Sequence, residues 1–547
     1  MKESGVADHM MDFPLNTIDI LKSAALRYSN KEVVSAMPNG SIHRYTYSEA
    51  YLRAAQVANY LAGLGVQKGD HIATLAVNHY RHFELYYGIS GMGGVVHTLN
   101  ARLFVEQLEY IINHAEDTYL FIDPEFLPQI EALAGKIPTV KGLIILCEED
   151  QLPSSTVFKL QSYETVIANQ ADTYDWPRLA SNEPCGLCYT SGTTGNPKGV
   201  VYEQGSTVQH AMMGGGSNFL NFDEWTVAMP IVPMYHVVAW GIPFSAPLYG
   251  AKLVLPGCAL TGENIQRLIE EEQVNKSYAV PTVWLTLHNY LQATGKKIDS
   301  LKLVGVGGAA SPKALVKTFA EKYNVYWMGI WGMTETSPLA TAAILTPEMS
   351  DLTAEECYEL QSSAGKPIFG VEIEIFDARG NPLPHDGETR GDLRVRGPWV
   401  LSSYYKQEGN KSLVDGWFET GDVAVINPQG YLRVVDRSKD VIKSGGEWIS
   451  SVELENAALN YVAVNEACVI GAAHEKWDER PIMLITLREG ELYNEDSLKR
   501  VLTEKVAKWW LPDAIIVVDE LPHTGTGKLK KVDIRAQYRQ YLLENYN

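Results

Sequence analysis

The sequence predicts an α/β protein with a large N-terminal domain of helix-covered sheets and a small α+β domain at the C-terminus. Helix-like and strand-like segments alternate from residue 17 to about residue 180 and resume further along, which is typical of parallel sheets with helices on both faces. From about Gly365, short strands and tight turns predict a β-rich subdomain. Beyond a charged run at 436–440, Ser450 and Glu453 form a capping box that begins a helix.

The hydrophobic periodicity supports the individual elements. Helices are predicted at Tyr47–Leu64, Ile265–Gln273 and Thr282–Thr294. Short apolar or alternating runs predict strands at His71–Val77, Lys276–Ala279, Leu301–Val306, Val371–Phe376 and Asp392–Arg396. The runs Val423–Ile426 and Tyr431–Val435 flank an Asn-Pro-Gln-Gly turn, which indicates a hairpin.

A chain of 547 residues is too long for one hydrophobic core. We therefore divide it into an N-terminal domain at 1–436, whose β-rich subdomain covers about 365–436, and a C-terminal domain at 437–547. The charged run at 436–440 marks the boundary, because the short strands and tight turns before it give way to an α+β pattern after it.

The composition excludes some classes of partner. The chain has 46 Lys and Arg against 66 Asp and Glu, a net charge of −20, so nucleic acid would be repelled. No apolar run is long enough to cross a membrane, and the first residues lack the apolar core of a secretory signal. An anionic ligand would need a locally basic site.

The six cysteines are scattered, and only Cys185 and Cys188 form a C-x-x-C pair. Zinc or redox chemistry is one interpretation of that pair. No second pair or nearby histidine completes a metal set, so we favour structural packing inside an apolar strand. This cysteine usage predicts a reducing, cytoplasmic location.

The loop Tyr189–Val200 reads YTSGTTGNPKGV and combines hydroxyls, glycines and one lysine. Glycines let backbone N–H groups turn toward an anion, hydroxyls add donors, and Lys198 adds a positive charge, so the composition suits a polyphosphate. The kinase-type phosphate loop opens directly into a helix, whereas here apolar residues follow Lys198 and predict a strand. We expect the next helix to begin at Ser206 or later. A polar hairpin turn with no ligand is the structural alternative.

Five further segments complete a set with this loop. They read PMYHVVAWG (Pro233–Gly241), WGMTETSP (Trp331–Pro338), GWFETGDVA (Gly416–Ala424), DRSKDVIKSGGEWIS (Asp436–Ser450) and PHTGTGKLKK (Pro522–Lys531). In this order they resemble the adenylate-forming (AMP-binding) superfamily, in particular the acyl-CoA synthetases, over nearly the entire chain. The amino-acid sequences of the last three segments look most like those of medium- and long-chain fatty acid–CoA ligases.

The resemblance implies a two-step reaction that uses ATP, Mg²⁺ and coenzyme A. A carboxylate attacks the α-phosphate of ATP to give an acyl-adenylate and pyrophosphate, and the thiol of coenzyme A then displaces AMP. Because an anionic carboxylate must approach a polyphosphate, cations and oriented donors have to stabilise the developing charge. The resemblance also implies a mobile C-terminal domain that turns about a hinge at 436–440 between the two steps.

The resemblance assigns roles to individual residues of this chain. Lys528 is implied to bridge the carboxylate and the α-phosphate, with Thr334, Glu335 and His236 as the other catalytic groups. Thr190 and Glu335 are implied to contact magnesium. The implied nucleotide and coenzyme A contacts are Thr190, Ser191, Gly192, Thr193, Thr194, Gly195, Lys198, Gly308, Ala309, Trp331, Gly332, Met333, Thr334, Asp422, Arg437, Lys439, Lys443, Gly445, Gly446 and Trp448.

Among these contacts, Trp331 is expected to stack on adenine at a position where the family often has tyrosine, and Asp422 to accept both ribose hydroxyls. Several of the assignments have a structural alternative, and a lone histidine such as His236 is more often a structural residue than a catalytic one. Lys528 would be a solvated lysine, Glu335 a helix-cap carboxylate, and the 436–440 run an exposed charged surface.

On the acid side, the resemblance implies that His236 and Trp240 adjoin the acyl group. Gly214 and Gly215 belong to a glycine run in a predicted helix, where glycine costs about 1 kcal/mol per residue relative to alanine. Either an acyl tunnel or a helix break would explain that run. Val238 stands where the family pattern has a polar residue, so the preferred acyl length is open.

Several functional alternatives stay open. The same ligase chemistry on a short thioether acid such as methylmercaptopropionate, or on an aromatic acid, is the nearest one. An adenylation domain that serves a carrier protein and a non-catalytic nucleotide-binding regulator are the others. A homodimer and peripheral contact with a membrane are compatible with the sequence, which has no direct signal for either.

Overall fold

The structure is a computed structural model that describes residues 10–190, 196–407, 412–445, 447–523 and 529–545. Over these residues the protein is α/β, which confirms the predicted fold class. A large N-terminal body contains two mostly parallel sheets and is followed by a β-rich subdomain. A smaller α+β body lies at the C-terminus. The domain boundary at 436–440 stays a prediction.

The strands of the N-terminal body are β1 (Glu32–Ala36), β2 (Ile42–Thr46), β3 (His71–Leu75), β4 (Val95–Thr98), β5 (Tyr119–Ile122), β6 (Gly142–Ile145), β7 (Leu160–Ser162), β8 (Pro184–Tyr189), β9 (Gly199–Glu203), β10 (Val227–Pro230), β11 (Lys252–Leu255), β12 (Lys276–Ala279), β13 (Leu303–Val306), β14 (Tyr326–Gly332), β15 (Leu339–Ala342) and β16 (Lys366–Pro367).

The helices of this body are α1 (Thr17–Arg27), α2 (Tyr47–Gly63), α3 (Tyr80–Met92), α4 (Val105–Ala115), α5 (Leu127–Glu131), α6 (Tyr163–Ala168), α7 (Gln204–Gly215), α8 (Ile242–Leu248), α9 (Gly262–Glu272), α10 (Pro281–Thr294), α11 (Lys313–Tyr323) and α12 (Ala354–Ser362). None of the helices in the described residues combines the length and the apolar composition that a membrane span requires.

The two large sheets each have a parallel centre. In the described residues one sheet has the strand order β2-β1-β11-β10-β12-β13-β14-β15-β16, and the strands from β1 to β14 in this order run parallel. The other has the order β7-β6-β5-β3-β4-β8-β9, and only its edge strand β9 is antiparallel. Alternating helices and strands in the sequence produce this arrangement, because a parallel crossover needs a helix.

The β-rich subdomain is an antiparallel sheet of β17 (Glu372–Phe376), β18 (Gly391–Arg396), β19 (Leu413–Val414), β20 (Trp417–Ile426) and β21 (Leu432–Arg437). The predicted hairpin is the β20–β21 pair, in which Ile426 lies opposite Leu432.

The C-terminal body contains the strands β22 (Ile442–Ser444), β23 (Glu447–Ile449), β24 (Val464–His474), β25 (Asp478–Leu487) and β26 (Ala514–Val517), and the helices α13 (Ser451–Ala458), α14 (Glu495–Thr503), α15 (Lys531–Tyr538) and α16 (Tyr541–Asn545). The side chain of Ser450 accepts a hydrogen bond from the Glu453 N–H at the start of α13, which is the N-cap half of the predicted capping box. The Glu453 carboxylate accepts from Arg433 instead of from the Ser450 N–H.

Several predicted boundaries differ from the structure by a few residues, as at the start of α9, which was expected at Ile265 and lies at Gly262. The start of α7 is another. Helix α7 begins at Gln204, two residues before the earliest expected start at Ser206. The reason is tertiary, because the buried Gln204 side chain accepts from the Thr17 N–H at 2.9 Å and donates to the Ser90 carbonyl at 2.9 Å. These contacts hold the first turn of α7 against helices from the beginning of the chain.

Candidate active site

The predicted site residues follow the carboxyl ends of parallel strands. His236 lies beyond β10, Gly308 beyond β13 and Glu335 beyond β14, so all three stand at one edge of the same sheet. Thr190 directly follows β8 of the other sheet. Ligands of α/β proteins usually bind at such an edge, since the loops that leave the strands converge there.

Strands β8 and β9 are antiparallel, and the residues at the two ends of the connecting loop are paired. The Thr190 N–H donates to the Lys198 carbonyl at 2.9 Å, and the Lys198 N–H donates to Thr190 Oγ1 at 3.2 Å. The strand–loop–strand prediction is therefore confirmed. The predicted phosphate contacts Ser191, Gly192, Thr193, Thr194 and Gly195 lie outside the described residues.

Glu335 lies in a single 3-10 turn after β14 and is 7% exposed. The Tyr404 hydroxyl donates to Glu335 Oε1 at 2.8 Å. Burial raises the pKa of Glu335, while the Tyr404 hydrogen bond and the charges of Arg437 and Lys198 oppose that rise. The neighbouring Thr334 is also buried, and its carbonyl accepts from the Tyr202 hydroxyl at 3.0 Å.

The donor set suits magnesium. Mg²⁺ usually binds through one or two protein oxygens together with phosphate oxygens and water, rather than in an all-protein cage. A buried carboxylate in a polar turn, with the Thr190 hydroxyl at the end of β8, provides such oxygens. Among the described residues no three His, Cys, Asp or Glu side chains come together as a metal cage.

Trp331, Asp422 and Arg437 are brought together by β14, β20 and β21. Trp331 Nε1 donates to Asp422 Oδ2 at 3.0 Å, and Arg437 Nε lies 3.0 Å from Asp422 Oδ1. Asp422 is 3% exposed, so these two donors orient its carboxylate. The indole N–H thus has a hydrogen-bonding role of its own, which the expected stacking on adenine did not include.

Short turns with small residues contain four of the predicted nucleotide contacts, Gly308, Ala309, Gly332 and Met333. Gly308 has a positive φ of 80°, and both Gly308 and Ala309 are exposed at the end of β13. Gly332 has no room for a side chain, because a Cβ there would lie 1.8 Å from the Pro338 carbonyl oxygen. The Met333 N–H donates to the same oxygen at 3.2 Å.

His236 and Trp240 flank a turn with unusual backbone geometry. Val237, Val238, Ala239 and Trp240 all have positive φ, between 46° and 60°. A left-handed conformation costs roughly 1–2 kcal/mol for each such residue, and strain of this kind is usually retained only at functional sites. The turn places the buried Trp240 ring beside Gly307, the residue before Gly308.

The glycine run ends α7, since Gly214 and Gly215 are its last two residues and Gly216 is its C-cap, which agrees with the helix-break alternative. The first two glycines differ in their surroundings. A Cβ on Gly214 would make ordinary contacts, whereas a Cβ on Gly215 would lie 2.5 Å from the Tyr249 ring. The Tyr249 side chain therefore fills the space that Gly215 leaves open. The role of both glycines in acid binding stays a prediction.

A small buried cavity of about 30 Å³ lies between α7 and the left-handed turn. Its walls include Tyr86, His210, Val238, Gly241 and Phe244, and none of its lining residues is Asp, Glu, Lys or Arg. Burial lowers the pKa of His210 to about 3, so its ring is uncharged at neutral pH. The cavity is therefore suited to an uncharged group.

The buried His210 also makes a testable contribution to stability. Because its folded-state pKa lies below the ordinary value of about 6.5, protonation favours the unfolded chain as the pH falls below 6.5. We expect His210→Gln, which can still accept from the Leu339 N–H, to flatten the pH dependence of the free energy of unfolding by about 1.4 kcal/mol per pH unit between pH 6 and 4. Urea unfolding at several pH values measures this, and an unchanged slope would contradict it.

The predicted hinge residues lie where the last two sheets meet. Lys439 and Lys443 have exposed side chains on either side of the entry to β22. The Gly445 N–H donates to the Trp477 carbonyl at 2.8 Å, and Trp448 packs against a cluster of valines from β20, β21 and the following turn. Gly446 and Lys528 lie outside the described residues.

Sequence reasoning missed the segment at 399–405, which has no recognised motif. The Leu401 N–H donates to the Glu335 carbonyl at 2.8 Å, and the Tyr405 N–H donates to the Gly199 carbonyl at 2.8 Å. Lys198 Nζ lies 4.7 Å from the centre of the Tyr404 ring. This segment therefore joins the Glu335 turn to the strand that follows the phosphate loop. Two adjacent tyrosines in an irregular stretch were the only signal in the sequence.

Comparisons with known proteins agree with this geometry. The profile of the AMP-binding enzyme family matches residues 21–405, and that of the AMP-binding enzyme C-terminal domain matches residues 453–528. A 3-methylmercaptopropionyl-CoA ligase of Ruegeria lacuscaerulensis is 44% identical over 97% of this chain and 99% of its own length. A medium-chain-fatty-acid–CoA ligase of Ectopseudomonas oleovorans is 43% identical over 96% of both chains.

A solved structure is also similar. The anthranilate CoA ligase AuaEII in complex with anthranoyl-AMP has a TM-score of 0.85 and 26% identity, covering 98% of this chain and 99% of its own. The family match and these relatives define an AMP-forming acid–thiol ligase that uses ATP with Mg²⁺ and coenzyme A. The chain belongs to the AMP-binding enzyme family.

Proposed function

We propose that this enzyme ligates a medium- or long-chain fatty acid to coenzyme A through an acyl-adenylate. The cavity beside the left-handed turn, whose lining residues include no Asp, Glu, Lys or Arg, supports an acid with an uncharged tail. A charged group would be expensive to bury there, so an uncharged aliphatic tail fits better than a second carboxylate or an amine. The choice of a fatty acid is carried by the relatives, since a medium-chain and a long-chain fatty acid–CoA ligase are 43% and 41% identical to this chain.

In the first step an acid oxygen attacks the α-phosphorus of ATP, the bond to the β-phosphate oxygen breaks, and pyrophosphate leaves. Lys528 is proposed to hold the attacking carboxylate and the α-phosphate together, and Thr334 to donate to the α-phosphate. Lys198 and the loop before it are proposed to hold the β- and γ-phosphates. Magnesium, held by Glu335 and Thr190, would neutralise phosphate charge.

The remaining nucleotide contacts are proposed to bind AMP in both steps. Asp422 would accept the two ribose hydroxyls while Trp331 and Arg437 orient it, at the distances given above. In the second step the thiolate of coenzyme A attacks the acyl carbon and AMP leaves with the shared electron pair. The segment 445–448 is proposed to face the thiol after the C-terminal domain has turned.

A short thioether acid is the second candidate, and the size of the cavity favours it. A volume of about 30 Å³ holds only two or so water-sized groups. A tail of that length is closer to methylmercaptopropionate than to palmitate, unless the surrounding side chains move. The relative that acts on this acid is as similar to the chain as the fatty acid ligases are.

An acid panel discriminates the two candidates. Pyrophosphate release would be measured with ATP, coenzyme A and one acid at a time, from acetate through octanoate to palmitate, with 3-methylmercaptopropionate and benzoate in parallel. We expect the highest kcat/KM with a medium- or long-chain fatty acid. Release with 3-methylmercaptopropionate and none with octanoate, decanoate or palmitate would show that the fatty-acid assignment is wrong.

Val238→Gly tests whether the cavity selects the acid. Val238 lines the cavity and has a φ of 52°, so glycine both enlarges the cavity and removes backbone strain. We expect the ratio of kcat/KM for longer over shorter acids to rise about tenfold, since two or so extra methylenes at about 0.8 kcal/mol each become accommodated. Val232→Gly, outside the cavity, is the control and should leave that ratio unchanged.

A cytoplasmic location and a homodimer are further proposals. Cell fractionation and sedimentation velocity would test them.

A further inference from the structure

Tyr404 stands between the two opposite charges of the proposed ATP site. Its hydroxyl donates to Glu335 Oε1 at 2.8 Å, and the ammonium of Lys198 lies over its ring at 4.7 Å from the centroid. None of the ion pairs among the described residues joins Lys198 to Glu335, although both groups contact this one tyrosine. The hydroxyl and the ring face of one side chain therefore contact the two opposite charges separately.

A direct ion pair between Glu335 and Lys198 would weaken the binding of the metal by Glu335 and of the phosphates by Lys198. A carboxylate that is paired with an ammonium is a poor ligand for a divalent cation, and an ammonium that is paired with a carboxylate attracts phosphate less strongly. The nucleotide would then have to break the pair before it could bind. A tyrosine satisfies both groups without neutralising either, because its hydroxyl is an uncharged donor and its ring face attracts a cation.

The backbone around Tyr404 holds it in this place. On one side the Leu401 N–H donates to the Glu335 carbonyl at 2.8 Å, and the Ser337 hydroxyl donates to the Trp399 carbonyl at 2.7 Å. On the other side the Tyr405 N–H donates to the Gly199 carbonyl at 2.8 Å, one residue after Lys198. The segment is thus attached to both elements whose charges Tyr404 contacts.

We propose that Tyr404 is a positioning residue that keeps Glu335 and Lys198 apart and oriented, so that the carboxylate is available to the metal and the ammonium to the phosphates. This inference rests on the proposed function for the roles of Glu335 and Lys198, and adds a residue that those roles do not include.

Two substitutions separate the functions of the hydroxyl and the ring. Tyr404→Phe keeps the ring under Lys198 and removes the hydrogen bond to Glu335. We expect it to weaken Mn²⁺ binding to the ATP complex about tenfold, measured by electron paramagnetic resonance of free Mn²⁺, and to leave ATP binding in EDTA unchanged. Tyr404→Leu removes the aromatic ring as well, so that Lys198 and Glu335 can pair directly. We expect it to weaken ATP binding in EDTA about tenfold, measured by calorimetry.

The double variant Tyr404→Leu/Glu335→Gln distinguishes this role from damage to the fold. Once the carboxylate is neutral it cannot pair with Lys198, so ATP binding in EDTA should return to within about threefold of the wild type. Tyr405→Phe is the matched control, since its ring packs against His71 and His114 instead, and it should change neither measurement.

The outcomes distinguish a failure of the spacer role, in which Tyr404 keeps Glu335 and Lys198 apart, from a failure of the proposed metal site at Glu335. Equal weakening of ATP binding in EDTA by Tyr404→Leu and by the double variant would overturn the spacer role, as would wild-type binding by Tyr404→Leu. If Glu335→Gln alone fails to weaken Mn²⁺ binding to the ATP complex, Glu335 is not the metal ligand, and the proposed site and the spacer role both fail.

Discussion

Replacing Lys528 by alanine is expected to reduce acyl-adenylate formation by about 10²–10⁴-fold, which corresponds to about 3–5 kcal/mol of transition-state stabilisation. The lysine would contact the carboxylate and the α-phosphate together only while they react, so its loss should lower kcat more than it raises KM. Pyrophosphate release at saturating ATP and acid measures the first step, and conversion of premade acyl-AMP to the thioester measures the second.

The second step provides the contrast. Lys528→Ala should convert premade acyl-AMP at nearly the wild-type rate, because the thiol attack does not involve the α-phosphate–carboxylate contact. Substitution of Gly446 by leucine should show the opposite pattern, with normal adenylate formation and slow thioester formation. Lys530→Ala is the matched control, since Lys530 pairs with Asp533 at 2.7 Å, and it should leave both steps unchanged. An equal loss of both half-reactions in Lys528→Ala would contradict the separation of roles.

Glu335→Gln is expected to lower the rate of adenylation about 10²-fold at saturating ATP and to raise the Mg²⁺ concentration needed for half-maximal rate. Glutamine has the same shape, and its carbonyl can still accept from the Tyr404 hydroxyl, so the change removes chiefly the charge. Initial rates of pyrophosphate release over a Mg²⁺ series, at fixed ATP, measure both effects.

The control for this prediction is Glu348→Gln, which removes an equal charge from an exposed turn and should leave the Mg²⁺ dependence unchanged. Unchanged Mg²⁺ dependence in Glu335→Gln would show that the carboxylate does not hold the metal. A loss that disappears at high Mg²⁺ would indicate that Glu335 contributes to metal affinity but little to the chemical step.

Local pattern was sufficient for much of the fold. Lys276–Ala279 is a strand with the predicted bounds, and the helix predicted at Tyr47–Leu64 is observed at Tyr47–Gly63. The strands on either side of the phosphate loop were also predicted, because apolar runs and turn residues alternate there with little ambiguity. The start of α7 was missed, since the contacts of Gln204 with Thr17 and Ser90 are absent from the local sequence.

Contacts between side chains that are far apart in the sequence could not be predicted from the sequence. The contact between Tyr404 and Glu335 spans 69 residues, and that between Trp331 and Asp422 spans 91. The Trp331 indole was expected only to stack, because the motif contains no sign of the carboxylate that accepts its N–H. An acyl tunnel was one of the two explanations left open for the glycine run, and nothing in the sequence indicated that Tyr249 fills the space beside Gly215.

By itself, the sequence determined the fold class, the family and the order of the chemical motifs. Hydrophobic periodicity and short motifs are properties of neighbouring residues, so they can be identified without a structure. Only the tertiary structure decided which side chains meet: Trp331 and Arg437 on Asp422, Tyr404 between Glu335 and Lys198, and a small uncharged cavity beside Val238. These contacts depend on how sheet edges and loops from separate parts of the chain pack. No local sequence pattern predicts packing between residues that are so far apart in the chain.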